Sequence, residues 1–178
     1  VSLGGNIITA NENIEFATDV VLTQGVSLST GGDSDSAGDI IFGATVDATM
    51  AGAEWLALAA GMGSVTFTGA VGDDQRLGAV TINQVAGTTI TSAFRAASFN
   101  QTQRGTGTFT LNNTLDTDAG SVIIDSETVD LNASILTTAG KVGAIDNGLV
   151  WLKAGSGGVN LADGFSITTT APTPDRTS

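Results

Sequence analysis

Nine residues, GSVTFTGAV at positions 63–71, constrain this chain more than any other stretch. Val65, Phe67, Gly69 and Val71 alternate with Thr66, Thr68 and Ala70, the two-residue period of a strand with one buried face. The third inward position holds a small residue. The same word returns as Ile40, Phe42, Ala44 and Val46 in DIIFGATV, as Phe109, Leu111, Asn113 and Leu115 in TFTLNNTL, and as Val129, Leu131, Ala133 and Ile135 in VDLNASI. Weaker copies read Val20, Leu22, Gln24, Val26 and Thr88, Ile90, Ser92, Phe94. Their starts, at 20, 40, 65, 88, 109 and 129, lie roughly 20 to 25 residues apart, inside the period range of solenoid repeats.

Second strand words fall between the copies: Leu56 with Leu58, Val80 with Ile82, Ala97 with Phe99, Val122 with Ile124, and Val142 with Ile145. Two strand words and their turns per circuit make one turn of a parallel β-helix. About eight coils of roughly 20–25 residues, stacked about 4.8 Å apart, would form a rod of roughly 40 Å. An antiparallel β-sandwich also uses short strands every 8 to 12 residues. The recurrence of one word favours the solenoid, which stacks the same position in every coil and so needs one size class there. The Ala-rich stretch MAGAEWLALAAGM (50–62) would favour helix in isolation, but Leu56 and Leu58 alternate between Gly52 and Gly61, so a strand with an inserted turn is expected. The expected organisation is one solenoid domain over 1–167, with 1–18 as an irregular first coil, and an extended, mobile tail over 168–178, where TTTAPTPDRTS has two Pro and no apolar pattern.

Composition agrees. Gly is abundant at 24 residues, aromatics are 5%, and Val, Ile, Leu and Ala do most of the filling, a mixture that suits short strands and tight turns. Six Lys and Arg against 18 Asp and Glu give a net charge of −12, which repels phosphate backbones and argues against nucleic-acid binding. The absence of Cys excludes disulfides and thiol chemistry, and the absence of His excludes a Ser-His-Asp triad. There is no run of 18 apolar residues, so no membrane insertion is expected. The chain opens with Val1 rather than Met, and is read as a processed product or a segment of something longer.

The segments DVVLTQGVSLST, GDIIFGATVDA, GSVTFTGAVG, LGAVTIN and GTGTFTLNNTLDTDAGSV resemble the repeats of filamentous-haemagglutinin-like adhesins and related giant exported surface proteins of Gram-negative bacteria. The resemblance runs from residue 19 to about 165. It implies a right-handed parallel β-helix, exported to the bacterial cell surface, serving as a stalk, adhesin shaft or fibre. The sequence lacks the secretion-directing amino-terminal domain, the membrane-anchoring barrel and the Arg-Gly-Asp motif found among such proteins.

Candidate chemistry is sparse. Asp33, Asp35 and Asp39 in GGDSDSAGD place alternate carboxylates on a tight turn that could take calcium, although the bidentate Glu of an EF-hand is missing. No other cofactor is expected. Asp116 with Asp118, and Asp125 with Glu127 and Asp130, read as solubilising charges, and Arg76 as the offset to Asp73 and Asp74. Paired carboxylates on adjacent coils could hydrolyse a glycan, but six scattered basic residues and no Tyr argue against an enzyme. Trp55 and Trp151 read as covers over a core or as sugar platforms. The pairs Thr66/Thr68 and Thr108/Thr110 suit an ice-binding array only if the intervening coils share them. Asn100, Asn112 and Asn132 open Asn-x-Ser/Thr triplets, which chance supplies readily in such a composition. The function expected is that of an extracellular structural protein, a non-enzymatic solenoid segment of a fibre or adhesin shaft whose exposed ends join head to tail. The alternatives are a calcium- or glycan-binding adhesin module with a surface glycan or host-cell partner, and a polysaccharide-degrading β-helix enzyme.

Overall fold

A computed structural model describes residues 1–31, 37–103, 105–138 and 148–170. Every regular element among them is a β-strand, and every strand pairing is parallel. The chain winds through three ladders in turn and forms a long, curled parallel sheet, consistent with a β-solenoid.

The first ladder runs from Ser2–Leu3 through Val20–Leu22 and Val46–Ala48. It continues through single bridges at Val71 to the start of Phe94–Gln101, then Leu115–Asp118, Ile135–Thr138 and Ile167–Thr170. The second runs through Ile7–Ile8, Val26–Ser29, Leu56–Ala59, Leu77–Gln84, the end of Phe94–Gln101, and the opening halves of Val122–Leu131 and Val150–Leu161. The third collects Ile14–Phe16, Ile40–Phe42, Val65–Phe67, Thr88–Ile90, Gly105–Leu111 and the closing halves of the same two long strands.

Register explains the repeated word. Ile40, Val65, Thr88, Phe109 and Val129 are successive partners on the third ladder. Each word therefore starts on the third ladder, turns a corner at its third position and ends on the first ladder, where Val46, Val71, Phe94, Leu115 and Ile135 align. The residue there is small in four of the five aligned words (Ala44, Gly69, Ser92 and Ala133) and is an exposed Asn113 in the other, and at Gly69 the backbones stack closely. A Cβ on Gly69 would collide with the carbonyl of Ala44 in the neighbouring corner. The copy at Val20 has another phase: Val20 pairs with Val46, whereas the residue beneath Ile40 is Ile14.

The inward residues are almost all sealed. Val65, Phe67, Phe94, Phe99, Phe109, Leu111, Val129 and Ile135 are 0% exposed. Phe16, Phe42 and Phe67 stack face to face at 5.3 and 5.0 Å, and Phe67, Phe94, Phe99 and Phe109 continue edge to face at 5.1, 5.5 and 5.7 Å. Such ring pairs contribute roughly 0.5–1.5 kcal/mol each beyond the area they bury. Two inward hydroxyls are satisfied at corners, Thr30 donating to the Gly38 carbonyl at 2.6 Å and Thr117 to that of Gly120 at 2.7 Å, whereas the buried Thr88 hydroxyl has no partner.

The strand with an inserted turn expected around Trp55 is found, and other local details differ from expectation. The stretch around Trp55 holds a turn followed by the strand Leu56–Ala59, with no helix. In the 97–99 word it is Ala96, not Ala97, that shares the buried side with Phe99, because the strand steps from the first ladder to the second between them. Val142 and Ile145 lie outside the described residues. The strand opposite Val122 begins instead at Val150. Residues 1–18 supply three short paired strands. Ile167–Thr170 pairs with Ile135–Thr138, so paired strand reaches into the segment expected as a tail, and residues 171–178 lie outside the description.

Candidate functional site

Asp33 and Asp35 of the expected calcium turn lie outside the described residues. Asp39 is described, and its work is visible: Oδ1 accepts from the backbone N–H of Ser64 at 2.8 Å, while its own N–H donates to Oδ1 of Asn13 at 2.8 Å. The side chain links one strand start to the next. Among the described residues no group of three or more acidic side chains converges as a metal cluster would.

The other carboxylates act in the same way. Arg76 does not offset Asp73 and Asp74. Its guanidinium reaches along the stack to Asp116, with Nη2 2.8 Å from Oδ2 and Nη1 2.8 and 3.0 Å from the carbonyls of Asp116 and Ala96. Asp73 pairs with Arg95 instead, at 3.1 Å. The buried Asp47 accepts from the N–H groups of Asp74 and Gln75 at 3.0 and 3.3 Å. Glu54, also buried, accepts from the Thr49 hydroxyl and, at 3.2 Å, from the Met50 N–H. The Thr49 hydrogen bond is the main reason its carboxyl titrates below the ordinary glutamate value.

The two tryptophans part company. Trp55 lies across Gly25, where any Cβ would strike the indole, so it covers a corner of the neighbouring strand connection. Trp151, 54% exposed, stands on the outer surface of the second ladder. There Thr81, Asn100, Ile123 and Trp151 form one outward row, each paired in register with the next. Beside that row Asp125 and Lys153 pair in register and by an ion pair of 2.9 Å. Between the two rows lies an open groove of about 500 Å³.

Beneath it, on the inner face of the sheet, lies a residue that sequence reasoning passed over. Gln101 occupies the inward position shared by Leu58 and Ile82 and is 1% exposed. Its Nε2 donates to the Asp125 carbonyl and, at 3.0 Å, to the Ser126 hydroxyl, while its Oε1 has no partner. Oδ1 of Asn100 next to it is buried and unpartnered as well. A buried acceptor left so costs roughly 1–3 kcal/mol. Polar parity was the available signal: Gln101 follows Phe99 on a buried alternation.

The threonine pairs are also better matched than spacing suggested. Thr66, Thr89 and Thr110 are consecutive partners on the outside of the third ladder, so the coil between the two pairs does contribute a hydroxyl. The row ends at Ile41 on one side and Asp130 on the other.

A different surface lies at the carboxy-terminal end of the stack. Val159 and Leu161 pair with Val129 and Leu131, and Ile167 pairs with Ile135. They hold inward positions, yet they are 45%, 46% and 40% exposed. Among the described residues, no strand pairs on the far side of Val150–Leu161 or Ile167–Thr170. Comparison of the chain with protein-family models, with curated proteins and with solved structures finds no match.

Proposed function

We propose that this chain is a non-enzymatic structural segment of an extracellular fibre or adhesin shaft, a right-handed parallel β-helix of about eight coils whose copies join end to end. Right-handed winding follows the general rule for crossovers between parallel strands. The observation that carries the reading is the exposure of Val159, Leu161 and Ile167 in positions that are sealed one coil earlier. An open edge of this kind offers unpaired backbone groups and an apolar surface together, the combination that templates strand addition. Repetition of a head-to-tail contact gives an open filament rather than a closed ring. The resemblance of residues 19 to about 165 to repeats of exported surface proteins supports placement on a bacterial cell surface.

Negative-stain electron microscopy of the concentrated chain, with calcium and then with chelator, tests it. Fibres a few nanometres thick are expected, and Leu161→Lys is expected to reduce them to short rods. Single rods under all conditions would refute end-to-end joining, and fibres lost only with chelator would place calcium in the joint.

A further inference from the structure

We infer that the groove beside Trp151 is a binding site for a neutral saccharide. The inference does not require filament formation, although Trp151 lies on Val150–Leu161, the strand whose far edge forms the proposed joint. A pyranose presents an apolar C–H face and a rim of hydroxyls, and the groove offers the matching surfaces. The indole of Trp151, 54% exposed, and Ile123 behind it in register supply an apolar platform. Asn100, Thr102 and Asp125 line the polar side.

The second observation is an unsatisfied acceptor. Asn100 stands on the outward row that lines this groove, and its buried Oδ1 has no hydrogen-bond partner, whereas the unpartnered Gln101 Oε1 faces the interior of the stack. Buried acceptors of this kind are normally paired. A hydroxyl donor of a sugar would satisfy it after a small shift of the Asn100 amide, directly or through one bridging water. Amide-mediated recognition fixes orientation, whereas the indole supplies area at little entropic cost.

Charge selects among saccharides. Lys153 is the basic residue lining the groove, and it is held by Asp125 at 2.9 Å. Among the described residues no other basic side chain lines the groove to neutralise a carboxylate or sulfate, and the chain as a whole carries −12. Uronates, sialylated glycans and sulfated glycans are therefore disfavoured, and neutral hexose or N-acetylhexosamine units are preferred.

The test is a printed array of neutral oligosaccharides with their sialylated and uronate counterparts, followed by titration of the best neutral member under intrinsic tryptophan fluorescence. Saturable binding is expected, with a change in emission. Trp151→Ala should weaken it tenfold or more, while Trp55→Ala should leave the affinity within twofold. Asn100→Ala, which removes the outward amide, should weaken binding without unfolding the protein, as circular dichroism will report. The inference is overturned if no neutral member binds, if acidic members bind better, or if Trp151→Ala binds as tightly as the parent. Because Trp151 lies on the outer surface, a loss of binding with fibres intact separates this site from the joint proposed above.

Discussion

Val129 and Val159 occupy the same position on the same ladder, and so do Leu131 and Leu161, yet the first of each pair is sealed and the second is nearly half exposed. At the amino-terminal end the contrast is milder: Leu3 and Ile14 are 8% and 6% exposed, and Phe16 is half-buried against Phe42. Parity tells which way a side chain points. Burial additionally needs a neighbour on both sides. Among the described residues the stack therefore has a middle in which sequence pattern equals core and two ends whose strands are paired on one side only, the carboxy-terminal end leaving its inward residues the more exposed.

The sharpest way to break that comparison is to truncate the middle and the carboxy-terminal end alike. Phe67→Ala, in contact with rings on both sides, should cost about 3–5 kcal/mol in denaturant unfolding. Leu161→Ala should cost less than about 1 kcal/mol. Equal losses would mean that the carboxy-terminal end is packed in solution.

Next in size are the glycines. Gly69→Ala drives a Cβ into the Ala44 carbonyl and should cost about 1–3 kcal/mol. Gly5→Ala, at the amino-terminal end with nothing within 4 Å of its Cβ, should be neutral or stabilising by about 0.4–1 kcal/mol. Thermal melts of the two variants would sharpen how far tight corner stacking extends toward the ends.

The smallest effect concerns acid. Glu54 titrates below its ordinary value in the folded chain, chiefly through the Thr49 hydroxyl. Its contribution to stability is therefore fully present above the unfolded glutamate value, about 4.3, and disappears as pH falls through the lower folded value. Glu54→Gln should flatten the acid limb of a Tm-against-pH curve below about pH 4.5 and change little near neutrality. An unchanged acid limb would show that this turn does not sense pH.

The buried alternation at Ile40/Phe42, Val65/Phe67 and Phe109/Leu111 was readable because a period of two survives any number of stacked neighbours. The corners were not, since inward parity runs straight through Gly69 and Ala133 and nothing in the pattern marks where a strand ends. Equal spacing likewise placed the copy at Val20 in line with Ile40, although register separates them. Partners such as Asp116 for Arg76 lie 40 residues apart, a distance that only the stacking of coils closes. The groove is of the same kind. Trp151 was visible as a lone aromatic, but Asn100, Ile123 and Asp125 became its neighbours only through the ladder.

The uniformly parallel pairing has a mechanical side. Its hydrogen bonds point along the stack, so a pull between the two ends loads them one circuit at a time, as a zipper is loaded, and not all together in shear. Releasing the circuit from Val65 to Thr88 would lengthen the chain by about 71–78 Å, its extended length at roughly 3.3–3.6 Å per residue less the roughly 4.8 Å it already spans. A rod built this way would give under tension in discrete steps, lengthening while its remaining circuits stayed wound.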